Sequence, residues 1–150
     1  MLFALLQEYK KVAAEYIAIL KEVSQVEFEE VVDENTKDID CKSIKAITSH
    51  VVYSGYVYAN YLNSVRDVEW YKYNETIDTP NEGVLEFGKM LDFTEEIFNS
   101  FSENSNDEIA QWKYEVSWGV NYDFEQLIEH AIVHVLRHRR QVEGFLKNKE

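Results

Sequence analysis

The chain has 150 residues, 45% hydrophobic and 29% charged, which suits one globular domain (residues 1–150) with a substantial core and excludes a disordered chain. Its formal net charge of -13 repels phosphate backbones, so neither nucleic acid nor an anionic membrane is an expected partner. The single cysteine, Cys41, excludes an internal disulfide and suits a reducing compartment.

The opening MLFALL carries no basic leader and runs straight into Gln7, Glu8 and Lys10. It reads as neither a signal peptide nor a membrane span, and the cytoplasm is the expected location. Leu2, Leu5, Tyr9, Val12, Tyr16, Ile19 and Val23 alternate steps of three and four, with Leu6, Ala13 and Leu20 widening the stripe. This predicts a long amphipathic helix, the first wall of a bundle. Residues 24–40 are acidic and irregular and read as a connector, with room for a short helical turn between Val26 and Val32.

Asp40 is placed to cap a second helix running to about Arg66, with Ile44, Ile47, Val51, Tyr58, Leu62 and Val65 on its apolar side. Cys41 then falls in a first helical turn, where the dipole favours thiolate and Asp38 and Asp40 oppose it, so an unreactive thiol is expected. Gly55 and Ala59, one turn apart, would let a neighbouring helix approach closely. Residues 67–78 make a second connector. Thr79, Pro80 and Glu82 form the clearest helix start in the chain: N-cap, proline at the first helical position and a glutamate reaching back. Val84, Phe87, Leu91, Thr94, Phe98 and Phe101 carry that third helix to about Ser102, and Gly88 within it suggests another close approach. After a break at residues 104–107, aromatic and apolar residues occupy every second position from Trp112 to Phe124. That is a strand period, and it predicts an extended segment over one end or side of the bundle; a short helix over residues 107–114 is the alternative.

The last helix opens at Asp123, with Gln126 as its capping-box partner, and the late cations Arg139, Arg140, Lys147 and Lys149 complement its C-terminal dipole. It carries His130, His134 and His138, three of the four histidines. On a helix each lies about 40° round from the last and one turn further on, so they share a face. Phe124, Leu127, Ala131, Val142 and Phe145 mark the inward stripe, and the places it leaves at 134 and 138 are both histidine. A buried imidazole needs a hydrogen-bond partner or a metal. Two alternatives stand at this point: a metal site, or core histidines bonded to tyrosines.

A carboxylate-bridged di-iron bundle needs Glu-x-x-His pairs, whereas Ile47, Leu127, Ala131 and Val135 stand three residues before the histidines. A zincin protease needs glutamate directly after its first histidine, whereas Ala131 and Val135 follow His130 and His134. What remains is a mononuclear site using His134 and His138 with His50 from the second helix. Three neutral imidazoles leave an ion at least one open position, and Arg137, Arg139 and Arg140 should disfavour imidazolium.

The string HAIVHVLRHRRQ resembles the signature of the DinB/YfiT-like bundle family, in which histidines at four-residue spacing end in an HRGQ-type motif and a further histidine comes from the second helix. His50, in ITSHVVYSGYVYANYL, falls where that family places its first ligand, and Trp118–Gly119 is similar to the aromatic-glycine step before its last helix. The resemblance implies an all-α four-helix bundle with long connectors and a short extended aromatic segment before the last helix. It implies His50, His134 and His138 as metal ligands. His130 matches an additional position that is not generally a ligand, and Gln141 matches the motif's glutamine, whose role would be to orient a ligand or hold the helix. Arg140 stands where the family has glycine.

The resemblance further implies a metal-dependent enzyme, often dimeric, that activates a low-molecular-weight thiol. The expected function is transfer of such a thiol to a small electrophile, or hydrolysis of a small molecule, with a divalent ion, zinc or nickel, as cofactor; imidazole also suits iron and copper. Ser54 and Tyr61 share a helix face with His50 and are expected to line the pocket. The alternative is a non-catalytic, metal-containing bundle that binds a small ligand or a partner, with aromatic residues at 14% of the chain forming its pocket or a homodimer face.

Overall fold

The computed structural model describes residues 2–148. Its elements in chain order are α1 (Leu2–Glu22), α2 (Gln25–Glu29), a 3-10 turn (Ile39–Cys41), α3 (Ile44–Asn63), α4 (Pro80–Ser100), α5 (Asn106–Gln111), β1 (Tyr114–Glu115), β2 (Asn121–Tyr122) and α6 (Phe124–Lys147). The four long helices form an all-α bundle in which α1 and α3 each pack against both α4 and α6. None of the described helices is long and apolar enough to cross a membrane. Lys149, expected to support the last helix end, lies outside the described residues.

The helix starts follow the capping chemistry. Thr79 and Glu82 form a full capping box ahead of Pro80, and Asp123 and Gln126 form another at α6. At α3 the cap is Ser43, not Asp40: the Ser43 hydroxyl accepts from Ala46 N–H at 3.0 Å. Asp38 caps the 3-10 turn, which holds both Asp40 and Cys41 ahead of the helix rather than in its first turn. The start shifts because Ser43 offers the same oxygen nearer the apolar face that begins at Ile44. Val65, counted in the α3 stripe, lies beyond the helix end and is exposed.

The core is wider than a strict three-four stripe. In α1 the fully buried residues are Leu6, Tyr9, Ala13, Tyr16 and Leu20, whereas Leu2, Leu5 and Ile19 are only partly covered. A helix with two neighbours buries a broad face, so the residues that widened the stripe become its centre. Tyr16 reaches across to Thr48 of α3 with a 2.9 Å hydrogen bond, so its hydroxyl is not stranded.

The segment before α6 is not one strand. The short helix α5 ends at Gln111, just before the aromatic alternation begins, and the alternating stretch folds into a two-stranded antiparallel hairpin pairing Tyr114 with Tyr122 and Glu115 with Asn121. Gly119 makes the reversal possible at φ 81°, where side-chain-bearing residues are strained. The second connector stays irregular and is pinned by Asn60 of α3, whose amide donates to Tyr71 C=O at 2.8 Å and accepts from Tyr71 N–H at 2.9 Å.

The two singled-out glycines behave oppositely. A Cβ at Gly55 would stand 2.6 Å from Met90 Sδ of α4, so the close approach occurs there; at Gly88 a Cβ would meet nothing within 4 Å, so no packing reason holds that glycine. Gly55→Val is expected to cost roughly 1–3 kcal/mol through overpacking, and Gly88→Ala to stabilise by roughly 0.5–1 kcal/mol through helix propensity. Urea unfolding of both variants checks the pair.

Candidate metal centre

His50 projects from the middle of α3, and His134 and His138 from successive turns of α6. Because these helices are neighbours, the three imidazoles meet. His50 Nε2 lies 3.1 Å from His134 Nε2, and one nitrogen from each of the three rings lies within 4.8 Å of the others. The ring centroids are 4.5–5.0 Å apart. A tetrahedral ion with bonds of about 2.1 Å needs nitrogens roughly 3.4 Å apart, so small side-chain adjustments would let this trio hold one. His138 is buried, while His50 and His134 are half-buried at the edge of an open cleft of about 400 Å³.

The outer nitrogens have partners that orient the inner ones. His138 Nδ1 is 3.0 Å from Gln141 Oε1, one turn on along α6. The Gln141 amide turns its oxygen to the ring, and an amide oxygen can only accept, so Nδ1–H donates and the His138 Nε2 lone pair is left free. His50 Nδ1 lies 3.5 Å from Asp40 Oδ2, which favours the same tautomer there. With Nδ1 of both rings bonded outward, the Nε2 of His138 and of His50 is left unprotonated.

Electrostatics keep the α6 imidazoles neutral. Loss of hydration pushes the His134 pKa down to about 3, with His138, His50, His130 and Arg137 adding repulsion. Burial also lowers His138, against which the Gln141 hydrogen bond pulls, and burial with Arg137 lowers His130. Of the three expected cations, Arg137 acts on all three α6 imidazoles. Arg139 is instead paired with Glu15 and Glu143, and Arg140 is exposed.

The remaining expectations divide. His130 stands apart from the trio: its ring stacks on Trp118 at 5.4 Å, and its Nδ1 is 3.3 Å from the Tyr122 hydroxyl. Ser54 and Tyr61 do not line the cleft. Ser54 is buried beside Tyr58, and the Tyr61 hydroxyl accepts from Ser117 N–H of the hairpin at 2.9 Å. The cleft is lined instead by Asp38, Cys41, Arg137 and Gln141 with the three histidines. Asp38 and Cys41 arrive on the 3-10 turn, whose placement no periodicity announces; Arg137, one residue before His138, was visible as a charge beside a candidate ligand. Burial raises the Cys41 pKa, the Gln141 bond opposing it and Asp38 and Asp40 adding to it, so the thiol stays protonated.

The same architecture occurs in two solved structures, a mycothiol-dependent maleylpyruvate isomerase and its variant with one histidine replaced by alanine. Each superposes with a TM-score of 0.58 at 15% identity over 95% of this chain. This is a DinB/YfiT-like fold. The chain spans 60% of the length of that isomerase, and at this identity the likeness carries the fold alone. No family model and no curated protein matches the chain.

A histidine whose folded pKa is depressed contributes stability that is present above its unfolded pKa and lost as pH falls. Metal-free protein is therefore expected to hold a constant melting temperature above about pH 7 and to lose it steadily below about pH 6.5, as unfolded His134 takes the proton that the folded ring refuses. His134→Asn should flatten that slope in thermal scans; equal slopes for both proteins would contradict the assignment.

Proposed function

We propose that this chain is a divalent-metal-dependent enzyme of the DinB/YfiT-like family, with His50, His134 and His138 as ligands and zinc or nickel as the ion. Its reaction is transfer of a low-molecular-weight thiol to a small electrophile, or hydrolysis of a small molecule. The observation that carries this reading is the meeting of three imidazoles from two helices, with one nitrogen of each within 4.8 Å of the others and two of the rings oriented from behind by Gln141 and Asp40. The thiol part is supported by the likeness to an isomerase that depends on mycothiol.

When bound, such an ion supplies a Lewis acid with an open position that lowers the pKa of a thiol or water at neutral pH. The chain's own residues do the rest. The three imidazoles occupy one side, so a substrate atom approaches from the cleft. Gln141 holds His138 in the tautomer that exposes Nε2, and Asp40 acts likewise on His50. His130, fixed between Trp118 and Tyr58, tethers the aromatic hairpin to the turn before His134.

A second reading, a non-catalytic metal-containing bundle that binds a small ligand or partner, is favoured by one observation. Asp38 accepts from Asp40 N–H and from the Cys41 thiol, and Cys41 stays protonated, so neither is poised as a base.

Metal analysis of protein purified without a histidine tag, followed by thiol consumption with a panel of electrophiles, separates the two. Stoichiometric metal with turnover is expected; stoichiometric metal without turnover favours the binding bundle. His134→Ala or His138→Ala should abolish stoichiometric metal while circular dichroism shows helical content intact, and His130→Ala should lose much less. Full occupancy in either of the first two variants would overturn the ligand set. Gln141→Leu is expected to weaken metal affinity by about 10–100-fold, read by competition with a chelating dye.

A further inference from the structure

The cleft beside the three histidines carries one cation whose charge is unspent. Arg137 projects from α6 between His134 and His138 in sequence and lines the cleft with them. It is exposed, and it makes no hydrogen bond or ion pair among the described residues, whereas Arg139, two positions on, is held by Glu15 and Glu143.

The other charge on the wall is Asp38, and it is already engaged. Its Oδ1 accepts from Asp40 N–H at 3.0 Å and its Oδ2 from the Cys41 thiol at 3.4 Å. A planar guanidinium with free donors matches a carboxylate through two parallel hydrogen bonds. On a chain of net charge -13 the average field disfavours anions, and within this cleft Arg137 is the one Lys or Arg side chain among the lining residues, so it is the point where a small anion can settle there.

We propose that Arg137 is the specificity-determining residue of the cleft, anchoring a small carboxylate-bearing substrate beside the three histidines. This rests on the metal-centre reading for the chemistry that follows, but not for the anchoring itself. A carboxylate on the guanidinium leaves the remainder of a molecule a few carbons long against the His134 and His138 rings, in a cleft whose volume suits it.

The test is equilibrium binding of succinate and of its neutral diamide, succinamide, followed by calorimetry on the folded chain in its zinc-loaded and metal-free forms. Succinate should bind in preference to succinamide in both forms. Arg137→Gln should weaken succinate by about tenfold or more, leave succinamide and zinc stoichiometry unchanged, and abolish the preference; Arg137→Lys should restore part of it. Succinate affinity unchanged in Arg137→Gln, or no succinate binding to the wild-type chain in either form, would overturn the proposal. Failure of zinc to bind, with an Arg137-dependent succinate preference intact, would overturn the metal reading and leave the anchor standing.

Discussion

Imidazole nitrogens from α3 and α6 face one another across 3.1 Å, and a protein tolerates converging lone pairs only where a proton or a cation sits between them. In the metal-free protein a neutral ring carrying its proton on Nε2 bridges the pair as an N–H donor, while dehydration and the rings of His138, His50 and His130 oppose imidazolium at His134. The rest of the molecule can be understood as what keeps α3 and α6 adjacent. α1 and α4 bridge the other sides of the bundle, Gly55 lets α4 seat Met90 against α3, and the buried faces of Ile47, Val51, Leu127, Ala131 and Val135 hold the helices beneath the histidines.

Connectors finish the site. The 3-10 turn before α3 brings Asp38 and Cys41 to the cleft and Asp40 to His50, and its place is held by backbone hydrogen bonds from Val32 and Asp33 to Lys42 C=O. On the other side, the hairpin lays Trp118 and Tyr122 against His130, and Tyr58 touches the rings of both His130 and His134 edge-on. Aromatic packing therefore runs without interruption from the hairpin to the trio. The α6 histidines divide by environment: one is enclosed by π-faces and a tyrosine hydroxyl, and two look toward the cleft.

Charge distribution gives the cleft its character. Acidic residues exceed basic ones, 28 to 15, yet the cation nearest the histidines is left without a carboxylate partner while its neighbour Arg139 is paired. A surface ion pair contributes little to stability, so leaving Arg137 unpaired costs the fold little and keeps a strong hydrogen-bond donor available to a ligand.

How much of this was legible beforehand depends on how local the physics is. Capping boxes at Thr79 and Asp123, the apolar stripes and the four-residue histidine spacing are set by residues within a turn or two of one another, and they determined the long helices and the shared face of His134 and His138. The α3 start was misplaced because Asp40 and Ser43 are both competent caps, and the apolar face beginning at Ile44 favours Ser43. The aromatic alternation correctly marked extended chain but could not show where it reverses, since that depends on Gly119 taking a positive φ and on pairing across the turn. Only the tertiary structure decided that Asp38 and Cys41 share a cleft with histidines up to a hundred residues away, that Ser54 and Tyr61 do not, and that Arg137 is the unpaired cation there. Those are outcomes of helix adjacency and connector path, which depend on how whole faces pack and carry no periodic mark in the chain.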